Sequence, residues 1–266
     1  MTNLTTESHV LAFYGIQESL RCLKPVYEAV LNWLQTHDCP PNRLGVHGKG
    51  FSGKLVSFRR TDSRLQKLGF RDIEGISIAS APPEYDSQAI DGRMSADMSI
   101  RNEYTILAMD ASIGDIEAMW DIARVVVARL GPCYGIGYTL ERRKGPVFYA
   151  LGLNYNRSGD KIVTCGPEYE EEVRISSWTD GMDQRVYREG LLRDVYPWNF
   201  LTTPHLTRRV ADVSLRTWIE KDSKRGRLSP FEGETSLWSV DEAAIPVLRS
   251  ELRNAGVIFD ARLHAD

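Results

Sequence analysis

The sequence lacks the features that mark membrane, secreted and nucleic-acid-binding proteins. It contains no uninterrupted apolar run of about 18 residues, so we expect neither a membrane-spanning helix nor a membrane partner. Residues 1–8 show no basic region followed by an apolar stretch, which predicts a cytoplasmic protein without a secretory signal. The 33 Lys and Arg residues are outnumbered by 36 Asp and Glu residues, which gives a formal net charge of −3. Because there is no basic excess, direct binding to nucleic acid is not expected.

Cysteine and histidine are few and scattered along the chain. The four cysteines, Cys22, Cys39, Cys133 and Cys165, form no C-x-x-C pair, and we expect them to be free thiols. The five histidines do not cluster with them. We therefore expect neither a metal site nor another cofactor.

Signatures of common hydrolases and nucleases are also missing. The sequence contains no H-E-x-x-H, no G-x-S-x-G and no nuclease-type E-x-K. His205 lies in a proline-flanked segment with aromatic neighbours, where a histidine is more often a hydrogen-bonded structural residue than a general base. The sequence therefore favours a binding protein over an enzyme.

One glycine-rich segment leaves an enzymatic alternative open. Gly48–Lys54 reads G-K-G-F-S-G-K, which fits G-x-G-x-x-G and nearly fits the phosphate loop G-x-x-x-x-G-K-[ST]. Such a loop needs a strand before it and a helix after it, so that backbone N–H groups can hold phosphate. Pro40-Pro41 leaves room only for a very short strand, and Lys54–Phe58 alternates like a strand. Because Leu55 also replaces the magnesium-binding Ser or Thr, a surface loop is favoured over a phosphate- or nucleotide-handling enzyme.

Hydrophobic spacing in residues 1–101 predicts strands around one helix. His9–Tyr14 is an apolar run typical of a strand. Apolar residues then recur at three- and four-residue steps from Ile16 to Leu34, which predicts a helix that Pro25 kinks or restarts. Gly45–Gly53 is expected to be a loop, and Ile73–Ala81 a β segment.

Residues 102–266 begin with the same order of strand, helix and strand. Glu103–Met109 predicts a strand, and Ile116–Leu130 predicts a helix that Gly131-Pro132 ends. Cys133–Glu141 and Pro146–Tyr155 are expected to pair as a hairpin.

The C-terminal third predicts shorter elements. We expect a helix over Ser214–Glu220, a hairpin of Arg227–Phe231 with Thr235–Trp238, a helix beginning near Ile245, and a closing strand Val257–Phe259. Since strands and helices do not alternate strictly, the fold class is α+β, with mixed or antiparallel sheets and packed helices. The length suits a single compact unit over residues 1–266, with possible strand–helix–strand sub-blocks 1–101 and 102–266.

An acidic run supplies the candidate partner-binding residues. Adjacent carboxylates repel one another, so a fold exposes them to water or to a cationic partner. The simple interpretation is a solvated face. The functional one is a surface that imitates nucleic-acid phosphates towards the basic cleft of a nuclease, with nearby aromatic residues as anchors. The candidate residues are Glu168, Tyr169, Glu170, Glu171, Glu172 and Trp178.

An ordered set of short motifs in residues 190–260 resembles the immunity protein 52 family of polymorphic-toxin and type VI secretion systems. The motifs are Asp194–Leu206, Ser214–Ile219, Arg225–Leu228, Leu237–Val240, Ile245–Arg249 and Ala255–Ile258. The aromatic motif Tyr196–Phe200 is expected to be structural, because large buried rings with Pro and Asn hold turns in place.

The resemblance implies an α+β cytoplasmic antidote to a cognate toxin with a restriction-endonuclease-like nuclease fold. Such a protein would bind the toxin and protect the producing cell, and the family contributes no catalytic residues to this chain. A phosphate-handling enzyme and a scaffold for a non-toxin partner are the alternatives. Formation of a homo-oligomer stays open.

Overall fold

A ten-stranded antiparallel sheet lies at the centre of the structure. The computed structural model describes residues 7–16, 22–81, 92–153, 155–158, 161–166 and 185–259, and every element below lies within these ranges. Two apolar clusters, one on each face, join the sheet to its helices. The prediction of an α+β fold with antiparallel sheets and packed helices is confirmed.

Fourteen strands lie within the described residues. Their bounds are β1 Glu7–Tyr14, β2 Arg43–Gly48, β3 Val56–Ser57, β4 Ile73–Ser80, β5 Met94–Ser99, β6 Tyr104–Asp110, β7 Tyr134–Glu141, β8 Tyr155–Ser158, β9 Lys161–Thr164, β10 Trp198–Leu201, β11 Arg209–Val210, β12 Val213–Ser214, β13 Arg227–Glu232 and β14 Thr235–Ser239. The central sheet has the order β13-β14-β10-β7-β1-β6-β5-β4-β2-β3, while β8 pairs with β9 and β11 with β12.

The helices are mostly short. Their bounds are α1 Leu23–Thr36, α2 Phe58–Leu68, α3 Trp120–Leu130, α4 Pro146–Ala150, α5 Arg185–Arg188, α6 Thr203–Thr207, α7 Leu215–Glu220 and α8 Ile245–Asn254. Single 3₁₀ turns occur at Ile116–Met119, Arg142–Lys144, Ser223–Arg225 and Glu242–Ala244.

Strand β1 lies between β6 and β7 and is covered on both faces. Its even-numbered residues Val10, Ala12 and Tyr14 belong to one apolar cluster, and Leu11 and Phe13 belong to the other. All five side chains are at most 1% exposed. A strand buried on both faces reads as a continuous apolar run, which explains why the predicted strand shows no polar alternation.

Helices α1 and α3 pack on the face that carries Leu11 and Phe13. Helix α1 begins at Leu23, so Pro25 lies in its first turn, where proline sacrifices no helical hydrogen bond. The predicted kink or restart at Pro25 stays a prediction, because residues 17–21 before this helix lie outside the described residues. Helix α3 ends at Leu130, and the next residue, Gly131, has a left-handed φ of 53° that matches the predicted stop signal.

The opposite face carries the shorter helices and a buried arginine. Arg193 is 1% exposed. Its Nη1 donates to Tyr14 Oη at 2.9 Å and to the Ala150 carbonyl at 2.8 Å, and its Nη2 donates to the Tyr149 carbonyl. The guanidinium also lies 5.0 Å from the centroid of the Tyr149 ring. Oxygen acceptors and aromatic faces stabilise this charge, so Arg193 links β1 to α4 within the core.

Two predictions around the glycine-rich segment are wrong. The expected loop Gly45–Gly53 begins instead as strand β2, which runs to Gly48, and the expected strand Lys54–Phe58 is reduced to Val56–Ser57 before helix α2. Helix α2 buries only Leu65, so its sequence lacks the apolar periodicity by which a helix is recognised.

The expected hairpin of Cys133–Glu141 with Pro146–Tyr155 is also wrong. After β7, a 3₁₀ turn leads to Gly145, whose left-handed φ of 57° redirects the chain into α4. Pro146 is the first residue of that helix, a position where its missing N–H is harmless. The expected closing strand Val257–Phe259 contributes only one parallel bridge, between Ile258 and Leu192.

Strand β5 is not predicted, because its residues Ser, Ala and Asp have low β propensity. It pairs with β6 from Met94–Met109 to Ser99–Tyr104. The possible boundary between residues 101 and 102 thus falls in the turn between two paired strands.

Candidate partner-binding site

The predicted acidic run lies outside the described residues. Glu168–Glu172 and Trp178 belong to the segment 167–184, which the structure does not describe. Their proposed role in partner binding stays a prediction, and the candidate site below is built from described residues alone.

The short motifs of residues 190–260 pack against one another. In the Tyr196–Phe200 motif, the Asn199 carboxamide accepts from Tyr196 N at 3.1 Å and donates to Tyr196 O at 2.6 Å. It also donates to Trp238 O on the neighbouring strand at 3.3 Å. Asn199 is fully buried, as are Tyr196 and Phe200 to within 2%. The prediction that this motif is structural is confirmed, because its polar atoms fix a turn and a strand pair.

A second pair of motifs fixes the turn before β13. Trp238 is fully buried, and its Nε1 donates to Arg225 O at 2.7 Å. Gly226 has φ of 91°, and a Cβ there would lie 2.2 Å from Ser239 O. The turn and the end of β14 are therefore in direct backbone contact.

Arg225 is held in the same turn by three contacts. Its guanidinium lies 4.3 Å from the Trp218 ring centroid, and Nη1 donates to Trp218 O at 2.8 Å. Nη2 lies 3.9 Å from a carboxylate oxygen of Glu251 in α8. These contacts connect α7, the turn and α8.

A buried ion pair anchors α8 from its other side. Arg249 Nε lies 2.7 Å from Oδ1 of Asp194, and that carboxylate is fully buried. Both residues belong to the motifs described above. Removing one member of such a pair typically costs about 3–5 kcal/mol, so their role is structural.

Together these contacts build an open groove of about 550 Å³ between the turn Asp222–Gly226 and helix α8. Ala243, Ala244, Val247 and Leu248 form its apolar lining. Leu248 is 4% exposed, whereas Val247 is 60% exposed. Val247 is thus open to solvent at the groove, as single apolar side chains on a protein surface often are.

The groove rim is more acidic than basic. Asp222 Oδ1 accepts from Lys224 N at 3.0 Å, and Asp241 Oδ1 accepts from Ala243 N at 2.9 Å. These bonds fix both carboxylates at the rim without neutralising them. Because Arg225 is engaged by Trp218 and Glu251, Lys224 is the remaining cation among the lining residues. The arrangement suits a partner that offers an apolar side chain beside a lysine or arginine.

The glycine-rich loop does not have the phosphate-loop arrangement. The preceding strand, expected to be very short, is the six-residue β2. The helix, however, begins only at Phe58, four residues after Lys54, with β3 between them. The loop folds back instead, since Gly53 N donates to Val46 O at 2.9 Å and a Cβ at Gly53 would meet the His47 ring at 2.3 Å.

His205 is buried and has structural partners. It is fully buried, its ring stacks on Tyr134 at 5.2 Å between centroids, and Nδ1 lies 3.1 Å from Thr202 Oγ1. Burial, and secondarily the charge of Arg208, lower the pKa of His205 to about 3. The imidazole is therefore neutral at physiological pH, as the structural interpretation requires.

The described residues hold neither a clustered metal-ligand set nor a membrane-spanning helix. Within these ranges, no three His, Cys, Asp or Glu side chains come together as a possible metal site. In the same part of the chain, no helix has both the length and the apolar character needed to cross a bilayer. The four cysteines are free thiols, as predicted.

These features define an α+β protein with an antiparallel sheet, helices on both faces and an open groove at one sheet edge. No family model matches the chain, and the search of curated proteins found no match. Among solved structures, it is similar to the Pseudomonas aeruginosa T6SS protein PA0821, with a TM-score of 0.53 and 12% identity. The likeness covers 96% of this chain and 73% of that one. At this identity it shows a shared fold with a type VI secretion system protein.

Proposed function

We propose that this protein is a cytoplasmic immunity protein that binds and neutralises a cognate type VI secretion toxin. The observation that carries the proposal is the convergence of the family-like motifs on one packed unit that carries the groove. The fold shared with a T6SS protein supports the same context. In this proposal the chain acts by binding and performs no chemistry of its own.

The partner's chemistry follows from the groove. Its apolar lining accepts an aliphatic or aromatic side chain, and the carboxylates of Asp222 and Asp241 attract a neighbouring cation. A nuclease surface that binds DNA is rich in Lys and Arg and supplies such cations. The acidic run Glu168–Glu172, with Trp178, is proposed to extend the same complementarity.

The expected contribution of Val247 can be calculated from its exposure. Complete burial of a valine side chain contributes about 1.5–3 kcal/mol. Since Val247 is 60% exposed, a partner that covers it would gain about 0.9–1.8 kcal/mol. Loss of this contact would raise Kd roughly 5- to 20-fold.

The direct test is co-purification with the product of a neighbouring toxin gene, followed by measurement of Kd. Val247→Arg should weaken binding by at least the calculated factor, because it removes the apolar contact and repels a cation. Leu68→Arg is the matched control, since Leu68 is a 57% exposed apolar residue on α2, far from the groove. Equal affinities for both variants would place the interface elsewhere.

A charge-reversal variant tests the acidic run separately. The triple substitution Glu170→Lys, Glu171→Lys and Glu172→Lys should slow association and flatten its salt dependence. Unchanged binding would remove the acidic run from the interface while leaving the groove in place. Failure of the wild-type chain to bind any neighbouring toxin, together with recovery of another partner, would favour the scaffold alternative.

A further inference from the structure

A pocket of about 280 Å³ lies between the glycine-rich loop and helix α2, at the sheet edge formed by β2 and β3. Its polar lining consists of Ser52, Lys54, Ser57, Arg60, Thr61 and Arg64. No carboxylate lines it. The volume corresponds to roughly nine water molecules, taking about 30 Å³ for each, which is ample for a phosphate group.

The positive charge around this pocket is not compensated locally. Lys and Arg occur eight times between residues 43 and 74, against three acidic residues, Asp62, Asp72 and Glu74, in a chain with net charge −3. Asp62 Oδ1 accepts hydrogen bonds from Tyr27 Oη at 2.7 Å and from Gln66 Nε2 at 3.1 Å, and Asp62 does not line the pocket. Within the described ranges, Lys54, Arg60 and Arg64 make no ion pair.

The local fold holds these cations together. Arg60 and Arg64 are four residues apart and therefore lie on one face of α2. The Arg64 guanidinium lies 5.2 Å from the centroid of the Phe51 ring, which connects the helix to the loop. The loop is held against β2 by the contact of Gly53 with the His47 ring. Three cationic side chains, those of Lys54, Arg60 and Arg64, thus line a single cavity.

We propose that this pocket binds a phosphate-bearing small ligand, held by Lys54, Arg60 and Arg64. Guanidinium and ammonium groups are the side chains that bind phosphate oxygens best, and the pocket hydroxyls add neutral donors. The ligand's charge would offset the repulsion among the three cations. The phosphate is either free or part of a nucleotide. The inference is independent of toxin binding, because the groove lies at the other edge of the sheet.

The test is calorimetric titration of the full chain, at low ionic strength, with inorganic phosphate, ATP and adenosine. Phosphate or ATP should bind at one saturable site, and adenosine should not. Binding of both anions indicates a site for the phosphate group itself, whereas binding of ATP alone indicates a nucleotide as the source. Absence of saturable binding by both anions would overturn the proposal.

Matched variants decide whether the pocket is the site. The pair Lys54→Ala with Arg60→Ala should weaken anion binding at least tenfold. The control pair Lys24→Ala with Arg216→Ala removes the same charge from helix surfaces, where each cation faces a glutamate four residues later. All four side chains are exposed, so urea unfolding should show intact folding. If both pairs weaken anion binding equally, the effect comes from the loss of net charge, and the pocket is not the binding site.

Discussion

The stability of this protein should depend on pH through His205. The pKa of His205 is lowered to about 3 in the folded chain, mainly by burial, whereas an unfolded histidine titrates near 6.5. Below pH 6.5 the unfolded state therefore takes up a proton that the folded state does not. The contribution of His205 to folding stability is therefore fully present above pH 6.5 and is lost progressively as the pH drops towards 3.

The magnitude follows from the two pKa values. Each pH unit in this window changes the free energy of unfolding by about 1.4 kcal/mol. Between pH 6.5 and 4.5, His205 alone should remove about 2–3 kcal/mol, which is a large part of a typical folding stability.

Urea unfolding of the wild-type chain and of His205→Gln, measured from pH 4.5 to 8, provides the assay. Glutamine loses the stacking on Tyr134 but cannot titrate, so it lowers stability by a similar amount at every pH. Titrating carboxylates cancel in the difference between the two proteins. The difference should shrink by about 1.4 kcal/mol per pH unit below pH 6. A difference that is constant from pH 4.5 to 8 would show that His205 has the same pKa in the folded and unfolded states.

Two further predictions concern the unit that carries the groove. Ser214→Ala should destabilise the chain by about 1 kcal/mol in urea unfolding, because Ser214 Oγ caps α7 by accepting from Thr217 N at 3.2 Å; an unchanged midpoint would contradict this. Gly226→Ala should lower the free energy of unfolding by more than this, because a Cβ would lie 2.2 Å from Ser239 O and the φ of Gly226 is 91°. A Gly226→Ala variant as stable as the wild type would show that the turn relaxes freely.

Elements with strong apolar periodicity or clear caps could be predicted from the sequence. The face of α8 that carries Leu248 and Leu252 has helical spacing, and Pro246 marks its first turn. Helix α2 has no such signal, because it lies at the sheet edge and buries only Leu65. The helical structure of α2 therefore depends on its position in the tertiary fold, which local sequence patterns do not encode.

The groove could be predicted only in part. Val247 is apolar but out of phase with the buried face of α8, and this mismatch is a signal visible in the sequence. Its proximity to Asp222 depends on the Trp238–Arg225 hydrogen bond, a contact between separate motifs that spacing does not reveal. The cationic pocket escapes prediction for the same reason, since Lys54 and Arg60 line one pocket only because α2 is a helix.

The two proposed sites should act independently. The groove flanks β13 and β14 at one end of the sheet, and the cationic pocket flanks β2 and β3 at the other. Nine strand spacings of about 4.8 Å separate these edges by roughly 43 Å. Effects at such distances usually add to within about 0.3–0.5 kcal/mol, which is about twofold in Kd. Combining Val247→Arg with Lys54→Ala and Arg60→Ala should therefore leave each loss of affinity as it is in the separate variants. A toxin Kd that changes more than twofold on adding the pocket substitutions would mean that the ligand site regulates the partner site through the sheet.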